Sequence, residues 1–202
     1  MSNDASHSGQ DFDSARRVMV VSQLRPQGVT DARVLAAMGA VPRERYCDSG
    51  QQALAYGDRP LRLANGAPMM PPAELGLLLT RLAPVPGERA LVVGGGGGYA
   101  AEVLRQMGLQ VDLSDSDAAA GSTVYDLILV EGAIEHLPAA LARRLADGGR
   151  VGTAIVEDGV TRLATGRQTR LPSGGTSVGF TSFAEAQVPI LPGFSSAPAF
   201  AF

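Results

Sequence analysis

Five consecutive glycines, Gly94 to Gly98, follow the apolar run Ala90-Leu91-Val92-Val93 and are followed at once by Tyr99. Beyond Tyr99 a helical pattern begins, with Ala100, Val103, Leu104 and Met107 on one side. That order describes a strand, a tight turn and a helix. Glycine lets the main chain take positive φ and lets a ligand approach it closely. The helix start behind it offers free N–H groups. Such a turn suits a nucleotide-like cofactor; a flexible glycine linker would not be framed by a strand and a helix. Asp115 stands 21 positions beyond Gly94, at the end of a second expected strand. A carboxylate so placed can take the two ribose hydroxyls of a dinucleotide or of S-adenosylmethionine. Asp117 is a nearby substitute, and the alternative is an ordinary acidic turn, Ser114-Asp115-Ser116-Asp117.

Other reactive side chains are few. All 17 basic residues are arginine, which excludes lysine-based catalysis. Cys47 is the only cysteine, so no internal disulfide and no cysteine-ligated zinc site is expected, and the chain reads as cytoplasmic. His136, between Glu135 and Leu137, reads as a polar residue ahead of a helix, and no serine–histidine–acid arrangement can be built. Arg143-Arg144 reads as a solvated helix face. A net charge of -3 leaves no basic footprint for nucleic acid or an acidic membrane surface. Met1 to Gln10 lacks the features of a signal peptide, and no apolar run is long enough to span a bilayer.

The elements that must position these residues form one expected domain, 13–202, behind a disordered tail at 1–12. Its first part, 13–88, is helical. One helix is expected from Asp13 or Ser14 to Leu24, with Val18, Val21 and Leu24 inward, and another over Ala32 to Met38. Pro42 to Tyr46 reads as a turn, Ala55 to Pro72 as an ordered loop, and Ala73 to Leu82 as an apolar helix. The second part, 89–202, alternates strands and helices. Strands are expected at Ala90–Val93, Gln110–Ser114, Asp126–Val130 and Arg150–Val156, with helices at Tyr99–Met107 and Pro138–Leu145. Val160–Thr165 is expected to pair antiparallel through the Asp158-Gly159 turn. Phe180–Phe183 and Gln187–Leu191 could add edge strands. The fold class is α/β, a Rossmann-like doubly wound sheet with an N-terminal helical segment.

From about Val18 to Val156 the chain resembles the protein-L-isoaspartate O-methyltransferase family, a group of class I S-adenosylmethionine-dependent enzymes. The likeness is carried by Val29 to Met38, by Val41-Pro42-Arg43-Glu44-Arg45-Tyr46, by Ala55-Tyr56-Gly57-Asp58-Arg59-Pro60-Leu61 and by Val92 to Tyr99. Tyr125 to Val130 and Leu145 to Val151 resemble the family's fourth strand and the turn before its fifth. The resemblance implies S-adenosyl-L-methionine as cofactor, held by Gly94, Gly96, Gly98, Tyr99 and Asp115. It implies methyl transfer to the carboxylate of isoaspartyl residues in damaged proteins or peptides, a repair reaction. It assigns no catalytic side chain and no metal.

Three departures favour an alternative, a family member that has lost catalysis and serves as a binding or scaffold protein. Met70 stands where the family's substrate loop has a hydroxyl, and Met69 and Met70 are expected to pack in the core. Val92 stands where the family has an acid before the glycine turn. Glu131, on the next strand, is either a solvated strand-end residue or a carboxylate offered to the same crevice. Only nine residues separate Asp115 from Tyr125, too few for a parallel crossover, so the family's third strand and its adenine-contacting acid are expected to be missing.

Overall fold

The computed structural model describes residues 12–64, 66–94, 98–114, 121–172 and 175–195. Helix α1 covers 12–18 and continues as a π-helical segment, Met19–Leu24. Helix α2, Ala32–Ala40, starts at Asp31, whose carboxylate accepts from the Arg33 N–H at 2.8 Å, a normal N-cap. It buries Val34, Leu35, Ala37 and Met38. Two short 3-10 helices follow, Arg43–Tyr46 and Ser49–Leu54. Strands β1, Leu61–Arg62, and β2, Pro68–Met69, pair antiparallel within the segment expected to be a loop. Helix α3, Pro72–Leu82, opens with proline at its first position, where the missing N–H costs nothing.

The main sheet holds β3, Arg89–Val93, β4, Gln110–Ser114, β5, Tyr125–Ile134, β6, Leu145–Glu157, β7, Val160–Arg170, and β8, Thr176–Glu185. Helix α4 is Tyr99–Gln106 and α5 is Ala139–Ala142. The strand order is β4-β3-β5-β6-β7-β8. The first four are parallel and the last two antiparallel. Among the described residues no strand lies outside β4, as the short link after Asp115 requires. β4 accordingly reads as an edge, with Leu113 49% exposed. The β6–β7 turn places Asp158 at φ 51° and Gly159 at φ 77°, the geometry that a two-residue hairpin demands.

Alternation along the strands splits the core in two. Ala90, Val92, Leu127 and Leu129 face α2, α3 and α4. Leu91, Val93, Ile128, Val130 and Val151 face the other way, toward Leu141 of α5 and toward Leu191 and Phe194.

Several local expectations are corrected. Arg144 is not on a solvated helix face: it lies beyond α5, is buried, and its Nε donates to Thr123 O at 3.2 Å and its Nη2 to the Tyr125 hydroxyl at 3.1 Å. Val18 and Val21 are exposed, at 54% and 62%, while Met19 and Leu24 are fully buried. The wider π winding brings positions five apart onto one face, so the 3.6-residue pattern misassigned it. The helix expected to reach Leu145 is the single turn Ala139–Ala142, because Leu145 already pairs with Tyr125 in the sheet. Asp147-Gly148-Gly149 is then an irregularity inside β6, with Gly148 at φ 73°. Gln187–Leu191 is not an edge strand. Pro189 and Pro192 remove ladder donors, and the segment makes one parallel bridge, Ile190 to Ala133, as it crosses the end of β5. Within the expected tail at 1–12, Phe12 is helical and partly buried; residues 1–11 lie outside the described residues.

Candidate functional site at the carboxyl ends of the central strands

β3 is flanked by β4 on one side and β5 on the other. The order in which strands are added therefore reverses at β3, and the carboxyl end of a strand at such a switch point is the usual ligand position in open α/β sheets. Gly94 ends the strand there. Its N–H donates to the Ser114 carbonyl at 2.8 Å, and its φ of 74° is the left-handed conformation that glycine tolerates. Gly98, at φ 78°, is the N-cap of α4. Gly96, Asp115 and the substitute Asp117 lie outside the described residues.

The space beside Gly94 is occupied. A Cβ built on Gly94 would stand 2.5 Å from Cδ2 of Leu191, and one on Gly132 would stand 3.1 Å from Leu191 Cβ. Main-chain bonds hold Leu191 in place: its N–H donates to the Ala133 carbonyl at 2.8 Å, and Ala133 N–H donates to Pro189 O at 2.9 Å. The segment after β8 thus closes one side of the crevice. It is also tied at its start, where Gln187 N–H donates to Glu74 Oε1 at 2.9 Å. Burial pushes Glu74 up to about 7.

On the α4 side the floor is polar and closed. Tyr99 is fully buried, edge-on to Tyr46 with ring centroids 5.8 Å apart. Its side chain therefore turns into the core rather than toward the glycine turn. The Arg43 guanidinium lies 4.8 Å from the centre of its ring. Arg43 is itself fully buried. Its Nε donates to Ala55 O at 2.8 Å and its Nη2 to Met70 O at 2.6 Å, tying the start of the loop to its end. Burial lowers its pKa and pushes the Tyr99 hydroxyl up to about 12.

Glu131 is not a solvated strand-end residue. β5 runs on to Ile134, and Glu131 is 1% exposed. Neither carboxylate oxygen has a hydrogen-bond partner among the described residues. Desolvation pushes its pKa up to about 7, with Arg43 pulling the other way. Val92 is fully buried in the core, and so are Met69 and Met70, as their side-chain chemistry leads one to expect.

His136 lies elsewhere. It lines a half-open cavity of about 380 Å³ between the end of β5 and Phe180 of β8. Among the described residues no cluster of side chains could hold a metal ion, and none of their helices is long and apolar enough to cross a membrane.

Known proteins share both sequence and architecture with this chain. The family model described as protein-L-isoaspartate(D-aspartate) O-methyltransferase matches residues 15–112. A protein-L-isoaspartate O-methyltransferase from Methylorubrum extorquens is 35% identical, over 91% of this chain and 91% of its own length. The chain belongs to the protein-L-isoaspartate O-methyltransferase family. Another relative of that name, from Methylorubrum populi, is 38% identical over 69% of this chain and 78% of its own. A Plasmodium falciparum chain described as a protein-L-isoaspartate O-methyltransferase, solved with S-adenosyl-L-homocysteine, superposes with a TM-score of 0.69. It covers 87% of this chain and 97% of that one at 19% identity, a likeness of fold.

The glycine turn is legible in the sequence, whereas the roles of Arg43 and Leu191 are not. Arg43 reads as part of a turn, and nothing local marks it as buried. Leu191 reaches Gly94 across nearly half the chain, a contact that periodicity cannot show.

Proposed function

We propose that this chain is an S-adenosyl-L-methionine-dependent carboxyl O-methyltransferase that acts on L-isoaspartyl residues of damaged proteins or peptides. The observation that carries the reading is Gly94 in left-handed conformation at the end of β3, where the strand order switches, in a chain of this family. The residues present fit such a cofactor. A positive-φ glycine at each end of the turn keeps side chains off the main chain, and a buried carboxylate with two free oxygens, Glu131, stands next to it.

S-adenosyl-L-methionine supplies a methyl group on a sulfonium, open to in-line attack by an ionised carboxylate. The chain's task is then alignment and exclusion of water, with little acid–base work. Gly94, Gly96 and Gly98 would hold the cofactor through their backbone, Tyr99 through its main-chain N–H, and Asp115 through the ribose. Arg43 fixes the loop Ala55–Met70 against this edge through its two carbonyl bonds. The lone cysteine, Cys47, is buried, which suits a cytoplasmic protein.

A second reading, a family member that binds without transferring, is favoured by one observation. Met70, at the position of the family's hydroxyl, is sealed in the core.

Calorimetry with S-adenosyl-L-homocysteine tests the cofactor half of the proposal. Saturable binding near micromolar, lost in Gly96→Leu, is the expected result. No binding by the folded wild-type chain would overturn it.

A further inference from the structure

We propose that Glu131 receives the α-ammonium group of the S-adenosyl cofactor, taking the place of an acid at the Val92 position. This rests on the methyl-donor reading above and deepens it.

The amino-acid end of the cofactor carries an ammonium that must be paired if it is taken out of water. The position one residue before Val93 offers only an alkyl group, since Val92 is buried among apolar side chains. Parallel register then identifies the substitute. Val92 lies beside Leu129, and Val93 beside Val130. Glu131 is therefore level with Gly94, and it projects from the same sheet face as Val92, two residues beyond Leu129.

Its surroundings leave the carboxylate without a partner. Pairing between β5 and β6 is interrupted between Leu129 and Ala133, so Glu131 sits in a bulge. Two groups of the bulge backbone are bonded: the Thr153 hydroxyl donates to Gly132 O at 3.0 Å, and Ala133 N–H donates to Pro189 O at 2.9 Å. The Glu131 side chain is not, because both oxygens are buried without a partner. Glu131 alone among the described acids has two such oxygens. Arg43 does not neutralise it by contact. Two of its nitrogens are committed to Ala55 and Met70, while the third, Nη1, is buried without a partner and makes no hydrogen bond to Glu131. Arg43 acts from a distance, favouring the ionised carboxylate. An ammonium brings three donors, enough for both free oxygens.

The test compares two ligands on two proteins. S-adenosyl-L-homocysteine has the amino-acid end; 5′-methylthioadenosine lacks it. In the full chain, Glu131→Gln is expected to weaken S-adenosyl-L-homocysteine binding by about tenfold or more, the scale of a charge-assisted hydrogen bond. It is expected to leave methylthioadenosine affinity unchanged. Wild-type binding of S-adenosyl-L-homocysteine below about pH 7 should also release a proton, read as a buffer-dependent heat, and the variant should not. Equal weakening for both ligands would assign Glu131 a structural role and overturn the proposal. So would unchanged affinity for S-adenosyl-L-homocysteine in a variant that melts like wild type. If wild type binds neither ligand, the cofactor reading itself fails; if it binds and only the Glu131 contrast is missing, this inference alone fails.

Discussion

Leu191 stands so close to Gly94 that a methyl group on the glycine would lie 2.5 Å from its Cδ2 atom. Two residues 97 positions apart thus define one wall of the crevice. Gly94 also has φ 74°, so a side chain there meets both backbone strain and a steric clash. Gly94→Ala is expected to destabilise the fold by about 1–3 kcal/mol. Adding Leu191→Ala should relieve the clash but not the strain. Urea denaturation of both variants checks this; a single variant as stable as wild type would show that the segment after β8 is not seated on the turn.

Arg43 is the tie between the loop and the core. Arg43→Met keeps the volume but leaves the Ala55 and Met70 carbonyls without their donor. The expected cost is about 2–4 kcal/mol, from two buried acceptors left unpaired. Arg43→Lys should recover only part, because an ammonium lacks the fork that reaches two carbonyls. Chemical denaturation measures both.

Glu131 makes stability depend on pH in an unusual direction. Its pKa rises from 4.5 unfolded to about 7 folded, so the folded chain binds more protons between those values. Its contribution is complete below about pH 4.5 and falls as pH rises through about 7, by roughly 3 kcal/mol in all. Tyr99, packed on Arg43 beside it and raised to about 12, does not titrate in that window. Glu74, also raised to about 7 but half-buried, adds a smaller slope of the same sign. Urea midpoints across this range should therefore fall less steeply in Glu131→Gln than in wild type.

Arg150 joins β6 to the β3 entry. Its Nη2 lies 3.0 and 2.7 Å from the two Glu88 oxygens, and its Nε donates to Leu82 O at 2.8 Å. Both side chains are 18% exposed, so salt screens the pair only partly. A double-mutant cycle of Arg150→Ala and Glu88→Ala is expected to give a coupling of about 1–2 kcal/mol. A coupling near zero would reduce the pair to a surface contact.

Much of this was legible in the sequence. The parallel core was marked by apolar runs ending at glycine, and the short Asp115–Tyr125 link told that the sheet stops at β4. Capping chemistry placed α2 at Asp31. What was hidden depended on contacts remote in sequence. The burial of Glu131 follows from β5 running past Val130 to Ile134, with the buried Arg43 near its carboxylate, and no local pattern records either. The inward face of the first helix was misread because Met19–Leu24 leaves the 3.6-residue period. Gln187–Leu191 reads as a strand by composition, yet Pro189 within it and Pro192 just after it go with a single bridge.

Methyl transfer itself is the most direct measurement. The full chain is incubated with S-adenosyl-L-methionine and a pair of synthetic peptides that differ only in an isoaspartyl or an aspartyl residue, and the products are weighed by mass spectrometry. A methyl ester, or the succinimide it forms, on the isoaspartyl peptide alone is the predicted result. No modification of either peptide by a chain that binds S-adenosyl-L-homocysteine would contradict the assigned activity and leave a cofactor-binding protein.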